Sequence, residues 1–287
     1  MIIVPRESAS HWYFPDGTPL HEVPRADGQG SRPTSLRDAR KLGLFPSVTN
    51  VLGILAKPGL EAWKQEQAIL AALTLPRNED ETLDDFAKRV VTDMQGEVGR
   101  AADLGSAVHA AIEAYAQGGW LPEDKEVARL FEPARQWFDA EVSTVHAVEI
   151  AAAHPRWGYA GRVDLVATLR STGRPTVIDF KTQKLRRDAK GNFKPILHDT
   201  WPLQLEAYRE ALASRDHGLA KAAIASVVIS STEPVPVVVK EWEDADKPGF
   251  FRAFLAARDL WVWQKNYCPV FDAPDAGDPP PAALVPA

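Results

Sequence analysis

The 287-residue sequence predicts an α/β fold, with a helical N-terminal half and a mixed-sheet C-terminal half. Three observations carry this. From Pro46 to Glu141 the apolar residues recur at helical spacing. From Val145 onward the pattern changes to short runs of β-branched and apolar residues bounded by turn signals. Two further helical segments, about 200–214 and 247–265, are set among and after those runs.

Residues 1–45 are polar and turn-rich. His11-Trp12-Tyr13-Phe14 followed by Pro15-Asp16-Gly17 predicts a small hairpin, since Asp-Gly favours tight turns. Ser31 to Leu44 reads as a short helix or an ordered loop. Ser47 or Thr49 is placed to cap the next helix, Pro58-Gly59 interrupts it, and Leu60 to Leu73 resumes it. After a break at Pro76–Asp80, a long helix is expected over 81–117, bent near Gly96 and Gly99 and ended by Gly118-Gly119. Glu123–Glu141 is a further helix, with Leu130, Trp137 and Phe138 on its apolar side. Strands are expected at 145–152, 159–169, 176–181, 225–230 and 235–242. The last helix carries Phe250, Phe254, Leu255, Trp261 and Val262. From Asp272 the chain is rich in Pro, Ala and Asp and is expected to be disordered. The organisation read from this is an extension at 1–45, one domain at 46–271 and a tail at 272–287. Within the domain a helical wall, 46–141, stands over a cleft in a sheet core, 142–271. No internal repeat is visible.

Composition narrows the function classes. No stretch approaches the roughly 20 apolar residues that span a bilayer, so no membrane partner is expected. The opening Met1-Ile2-Ile3-Val4-Pro5-Arg6-Glu7 lacks a basic segment followed by an apolar one, so no signal peptide and a cytoplasmic location are expected. The single cysteine, Cys268, excludes an internal disulfide. A net charge of −6 argues against a surface coated in nucleic-acid-binding charge, but local distribution outweighs the sum. Between Phe180 and Lys194 stand six bases (Lys181, Lys184, Arg186, Arg187, Lys190, Lys194) against one acid, Asp188. Such a run is commonly a solvated loop; directly after a chemistry-bearing strand it reads as a phosphate-contacting one. The nine tryptophans read as packing residues; Trp157 and Trp201 flank the strands of interest.

Those strands carry Gly161-Arg162-Val163-Asp164 and, fifteen residues after that aspartate, Asp179 within Ile178-Asp179-Phe180-Lys181-Thr182. Alternation puts Asp179 and Lys181 on one face. The linker 170–174 is polar, contains Gly173 and reads as a hairpin turn, which brings Asp164 beside both. Two carboxylates and an amine at one point suit a divalent cation next to a group that can hold a water, the apparatus for phosphodiester hydrolysis with Mg²⁺. The bland alternative is a solvated carboxylate at each strand end. Against it, Asp179 lies among Val177, Ile178 and Phe180, where an unpartnered charge is costly.

The order of motifs resembles the PD-(D/E)xK nuclease superfamily, in particular its RecB-type exonuclease branch. Gly105 to Glu113, with His109, is followed by the G-x-x-D string, then D-x-K-T, then Gln204 to Tyr208. Phe45 to Thr49, with Ala56-Lys57-Pro58 and Trp63, is similar to the opening of phage-encoded members. The resemblance spans Phe45 to Tyr208 and implies a restriction-endonuclease-like core, a mixed central β-sheet flanked by helices. It implies catalytic roles for Asp164, Asp179 and Lys181. It implies a cation, Mg²⁺ with Mn²⁺ also active, held by His109, Asp164, Asp179 and the Phe180 carbonyl, with Glu149 as a further candidate ligand. Gly105 would let the His109 helix approach a strand closely. Glu113, Thr182, Gln204 and Tyr208 become supporting or DNA-contacting residues, as do Lys184, Arg186, Arg187 and Lys190. Some RecB-type nucleases hold an iron–sulfur cluster with four cysteines; one cysteine cannot supply it. The implied partners are linear DNA with a free end and a single-strand annealing or single-strand-binding protein, in a phage recombination or DNA-processing role and hence in a bacterial host's cytoplasm. The rivals are an endonuclease with the same site, a non-catalytic nucleic-acid-binding protein of the same fold, and a nucleotide phosphohydrolase.

Overall fold

The structure, a computed structural model, describes residues 11–119 and 121–269; the tail expected to be disordered lies outside the described residues. Short elements come first: β1 (Trp12–Tyr13), β2 (Glu22–Pro24), β3 (Ser31–Pro33), α1 (Leu36–Leu42), β4 (Phe45–Pro46) and α2 (Val48–Leu52). Three long helices follow, α3 (Pro58–Thr74), α4 (Leu83–Ala116) and α5 (Lys125–Glu141). Then come β5 (Val142–His154), β6 (Tyr159–Leu169), β7 (Pro175–Gln183), β8 (Arg186–Arg187), β9 (Phe193–Lys194), α6 (Thr200–Ala213), β10 (Ala223–Ser230), β11 (Val238–Trp242) and α7 (Lys247–Lys265).

The central sheet has five strands in the order β11-β10-β7-β6-β5. β5, β6 and β7 form an antiparallel meander, β7 and β10 pair in parallel across the α6 connection, and β11 returns antiparallel. All eight residues of β10 are buried, as a strand covered on both faces requires. On one face Val163, Val166, Val177 and Ile224 pack under α2, α6 and α7 through Leu205, Tyr208, Phe254 and Trp261. On the other, Leu165, Ile178, Phe180 and Val227 pack under α4 and α5 through Val108, Ile112, Leu130 and Phe131. The result is a mixed sheet between two helical layers, the restriction-endonuclease-like arrangement.

Several local expectations are modified. The Asp16-Gly17 turn forms, with Gly17 at φ 94° and Asp16 Oδ1 accepting from Thr18 N at 2.7 Å. The expected hairpin closes, with Phe14 N donating to Thr18 O, Leu20 N donating to Trp12 O and Tyr13 bridged to Pro19, and β1 pairs with β4 as well. Ser31–Leu44 is a strand and then a helix, capped by Ser35 and Asp38 in a capping box. Ser47, not Thr49, caps α2. Pro58 does not interrupt a helix but opens α3 at its first position, where its missing N–H costs nothing. α4 is a single 34-residue helix, continuous through Gly96 and Gly99. The basic stretch, read as a loop, contains the β8–β9 hairpin, closed by Gly191 at φ 82° and by Asp188 Oδ1 accepting from Lys190 N and Asn192 N.

The N-terminal segment is tied into the core. The Trp12 ring lies 6.1 Å from that of Trp261 and 6.2 Å from that of Tyr267, and the Tyr267 hydroxyl donates to Leu44 O at 2.7 Å. Trp12→Ala should therefore cost about 3–5 kcal/mol, the usual range for emptying a buried aromatic site, measured by urea unfolding.

His154 is 8% exposed, its ring is stacked on Phe251, and its imidazole is pushed down to about 4, first by burial and then by Arg156. Between the ordinary histidine value near 6.5 and about 4, the unfolded chain takes a proton that the folded one refuses. Stability should fall as pH drops through this window, by up to about 3 kcal/mol from this group. Unfolding free energies of wild type and His154→Phe measured between these pH values should diverge by that amount.

Candidate active site

The site begins where two strands part. The β6–β7 ladder runs from Thr168↔Pro175 to Leu165↔Ile178 and stops one residue short of Asp164 and Asp179. A backbone N–H released from a ladder in a buried place needs another acceptor. The Phe180 N–H finds it in Asp164 Oδ2, at 2.8 Å. On its other side β7 stays paired with β10, with Asp179 opposite Ser226. The splay thus opens a gap in the sheet that both carboxylates enter.

Asp179 is almost fully buried, with its side chain 4% exposed, and α6 supplies its partners. Gln204 Nε2 donates to Asp179 Oδ1 at 3.0 Å, and Gln204 Oε1 accepts from Lys181 Nζ at 3.2 Å. Lys181 Nζ lies 2.6 Å from Asp179 Oδ2, close enough for an ion pair but not aligned as a hydrogen bond, so that this buried oxygen keeps unfilled acceptor capacity. Gln204 Nε2 also reaches the Tyr208 hydroxyl at 3.2 Å, one helical turn along. The Trp201 ring lies 5.9 Å from Lys181 Nζ and gives the ammonium an aromatic face.

Tyr208 explains the glycine of G-x-x-D. A Cβ on Gly161 would stand 2.4 Å from Tyr208 Cε1, inside any permitted contact. The expected close approach at Gly105 is milder: a Cβ there would meet Thr182 Cβ at 3.8 Å, an ordinary contact, so alanine fits.

On the α4 side, His109 Nδ1 lies 3.9 Å from Asp164 Oδ2, and the ring meets Phe180 edge-on with 6.4 Å between centroids. Burial pushes the His109 imidazole below its ordinary value, which keeps it neutral and able to donate a lone pair. Burial first, and the Asp179 charge second, push the Asp164 carboxyl well above the usual range; the Phe180 N–H pulls the other way. His109, Glu113, Glu149, Asp164 and Phe180 line one small pocket. Glu149 enters it from an irregular point of β5, at φ 50°, a conformation rare outside glycine, and contacts Arg162 at 2.5 Å. Its carboxyl is raised, mainly by burial.

The remaining expected residues are more dispersed. Glu113 accepts a long 3.4 Å bond from Gln117 Nε2. Thr182 Oγ1 is buried without a hydrogen-bond partner. Lys184, Arg186 and Lys190 are exposed on or beside the β8–β9 hairpin. Arg187 is partly occupied, 3.3 Å from Glu233 Oε2 and 3.9 Å above the Phe193 ring. Sequence reading passed over Arg162, the Trp201–Lys181 contact and the Gly161–Tyr208 fit. Arg162 stood inside a quoted motif, but the bend in β5 that engages it leaves no local signal.

Among the described residues no three His, Cys, Asp or Glu side chains already stand together as a metal cluster. The donors nonetheless have the chemistry of a hard-cation site. Buried Asp179 and half-buried Asp164 lie near one ammonium, and Asp179 Oδ2 retains an unfilled lone pair. Oxygen donors of this kind suit Mg²⁺ or Mn²⁺.

Fold and site together define a nuclease-like α/β domain, a splayed sheet with an acid pair and a lysine at the gap. Residues 130–261 match the family model of the PD-(D/E)XK nuclease superfamily. It contains Asp164, Asp179, Lys181, Gln204 and Tyr208, while His109 and the long helices α3 and α4 precede it. A solved structure from Eubacterium rectale named "Putative exonuclease" aligns at 10% identity and a TM-score of 0.39, over 57% of this chain and 68% of that one. No curated protein matches the chain.

Gly161→Ala should destabilise the fold by about 1–3 kcal/mol through overpacking against Tyr208. The loss should shrink when the same change is made in a Tyr208→Ala background, a coupling that a double-mutant cycle in urea reads directly.

Proposed function

We propose that the protein is a Mg²⁺-dependent DNA exonuclease of the RecB-like type, acting in phage DNA recombination or processing. The observation that carries this is the Asp179–Gln204–Lys181 network set beside Asp164 at the strand splay, inside the segment that matches the nuclease superfamily. An ammonium has three donors. Here one goes to Gln204 and one faces Asp179, which leaves the third for an attacking water or a phosphate oxygen. In this reading the charge of Lys181 acts where charge develops on the phosphate. Asp164 and Asp179, with the Phe180 carbonyl, His109 and Glu149, are the groups that would hold the cation. When bound, it supplies neutralisation of the phosphate and a lowered pKa for bound water.

The support for action at ends is the helical arm. α3 starts beside the loop leading to α6, where a Cβ on Gly59 would lie 3.9 Å from His198, and α4 runs back to place His109 at the site. An arm rooted on both sides of the cleft suits a strand that threads in by its terminus. The exposed bases Lys184, Arg186 and Lys190 suit a polymeric anion more than a single nucleotide. A single-strand annealing or single-strand-binding protein is the proposed partner, and the cytoplasm of a bacterial host the proposed location. No described helix is long and apolar enough to cross a membrane.

Asp179→Asn and Lys181→Ala should each lower cleavage of end-labelled linear DNA by at least about 10²-fold in protein whose circular dichroism remains that of the folded chain; Lys181→Ala should in addition lower the urea midpoint, because it strips the buried Asp179 of its counter-charge. Manganese should support turnover at least as well as magnesium, because imidazole is a softer ligand than Mg²⁺ prefers. Covalently closed circles should be spared; rapid nicking of circular DNA would identify an endonuclease instead.

A further inference from the structure

Arg162 stands two residues before Asp164 in β6, and the reaction described above makes no use of it. Its Nε lies 2.5 Å from Glu149 Oε2 and donates to the Glu149 carbonyl at 3.3 Å. Both acceptors belong to the residue with φ 50°, so the strained turn in β5 presents its carboxylate and its carbonyl to one nitrogen. Non-glycine residues persist in such a conformation when their surroundings hold them there. The guanidinium is therefore fixed by its inner edge. Its two amino nitrogens donate no hydrogen bond to any described residue, and the side chain is 57% exposed.

Two features give this free fork a direction. Glu149 lines the small pocket with His109, Asp164 and Phe180, so the anchored edge of Arg162 lies at the rim of the acid pair. On the other side Tyr13 and His21 are near enough to feel its charge. There the rings are stacked outward from the core: Tyr13 edge-on to His21 at 5.1 Å, and His21 under exposed His11 at 4.5 Å. The N-terminal turn thus forms a wall along the path to the carboxylates, with a planar cation at its foot. A guanidinium with two free parallel donors matches two oxygens of one phosphate group.

We propose that Arg162 is a phosphate-binding residue of this site, seating a backbone phosphate of a nucleic-acid strand beside Asp164 and Asp179, with Glu149 as its positioning residue. The identity of the anion rests on the nuclease reading; the presence of an anion subsite does not. The rival account is that Arg162 merely neutralises Glu149.

Binding of a fluorescein-labelled single-stranded oligonucleotide, followed by anisotropy in EDTA across a salt series, separates these accounts from each other and from cleavage. Arg162→Ala and the neutral, similarly sized Arg162→Gln should both weaken binding about tenfold, the effect of one charge-assisted hydrogen-bonded contact. The log–log salt slope should flatten by about 0.7, the share of one phosphate on a single strand. In cleavage assays KM should rise more than kcat falls. Adding Glu149→Gln to Arg162→Ala should restore neither affinity nor slope. Restoration by that double substitution, an unchanged slope in folded Arg162→Gln, or no binding by wild type at low salt would each overturn the inference. Arg162-dependent binding with no cleavage by wild type under Mg²⁺ or Mn²⁺ would instead overturn the nuclease reading and leave the subsite standing.

Discussion

A buried carboxylate, Asp179, and a half-buried one, Asp164, have to be kept apart and hydrogen-bonded at the point where β6 and β7 separate, and the rest of the fold is arranged around that demand. Asp164 takes the N–H that the interrupted ladder releases. Asp179 takes Gln204 and Lys181. Removing any of these partners would leave a charge in a place where water does not compensate it, which is among the larger single penalties a fold can carry. Burial first, and the Asp179 charge second, raise the Asp164 carboxyl even so.

α6 is the element that makes the arrangement rigid. Ten of its fourteen residues are buried, and it presents Trp201, Gln204 and Tyr208 toward the gap. Gln204 links the acid, the ammonium and the tyrosine hydroxyl, so its amide orientation is settled by three contacts at once. Tyr208 then lies so close to β6 that only glycine is accommodated at position 161. Packing and chemistry are therefore one structure here: the ring that sets the distance between α6 and β6 also steadies the amide that holds Lys181.

The two flanks of the site differ in character. One is basic, formed by the β8–β9 hairpin, although Asp188 and Glu233 occupy part of its charge through Lys194 and Arg187. The other is formed by the N-terminal turn, with its stacked rings and the anchored Arg162. The long α3–α4 arm rises between, exposing Ile69, Leu70 and Leu73 near its end.

The sequence by itself determined the sheet strands, the α6 and α7 helices and the pair Asp179 and Lys181 on one strand face, because period-two alternation and turn residues are local properties. It also determined that Asp164 lies near them, since a five-residue polar linker admits little but a hairpin. Tertiary structure alone decided the rest. β1, besides closing its own hairpin, pairs with β4, and Trp12 and Phe45 are buried in the core. The necessity of Gly161 arises from a tyrosine forty-seven positions away in sequence. The positive φ of Glu149, which presents its carboxylate and carbonyl to Arg162 on the neighbouring strand, is a feature of the folded sheet that no local pattern in the sequence marks. Contacts between distant segments depend on how whole layers settle against each other, and no local pattern of residue types encodes that distance.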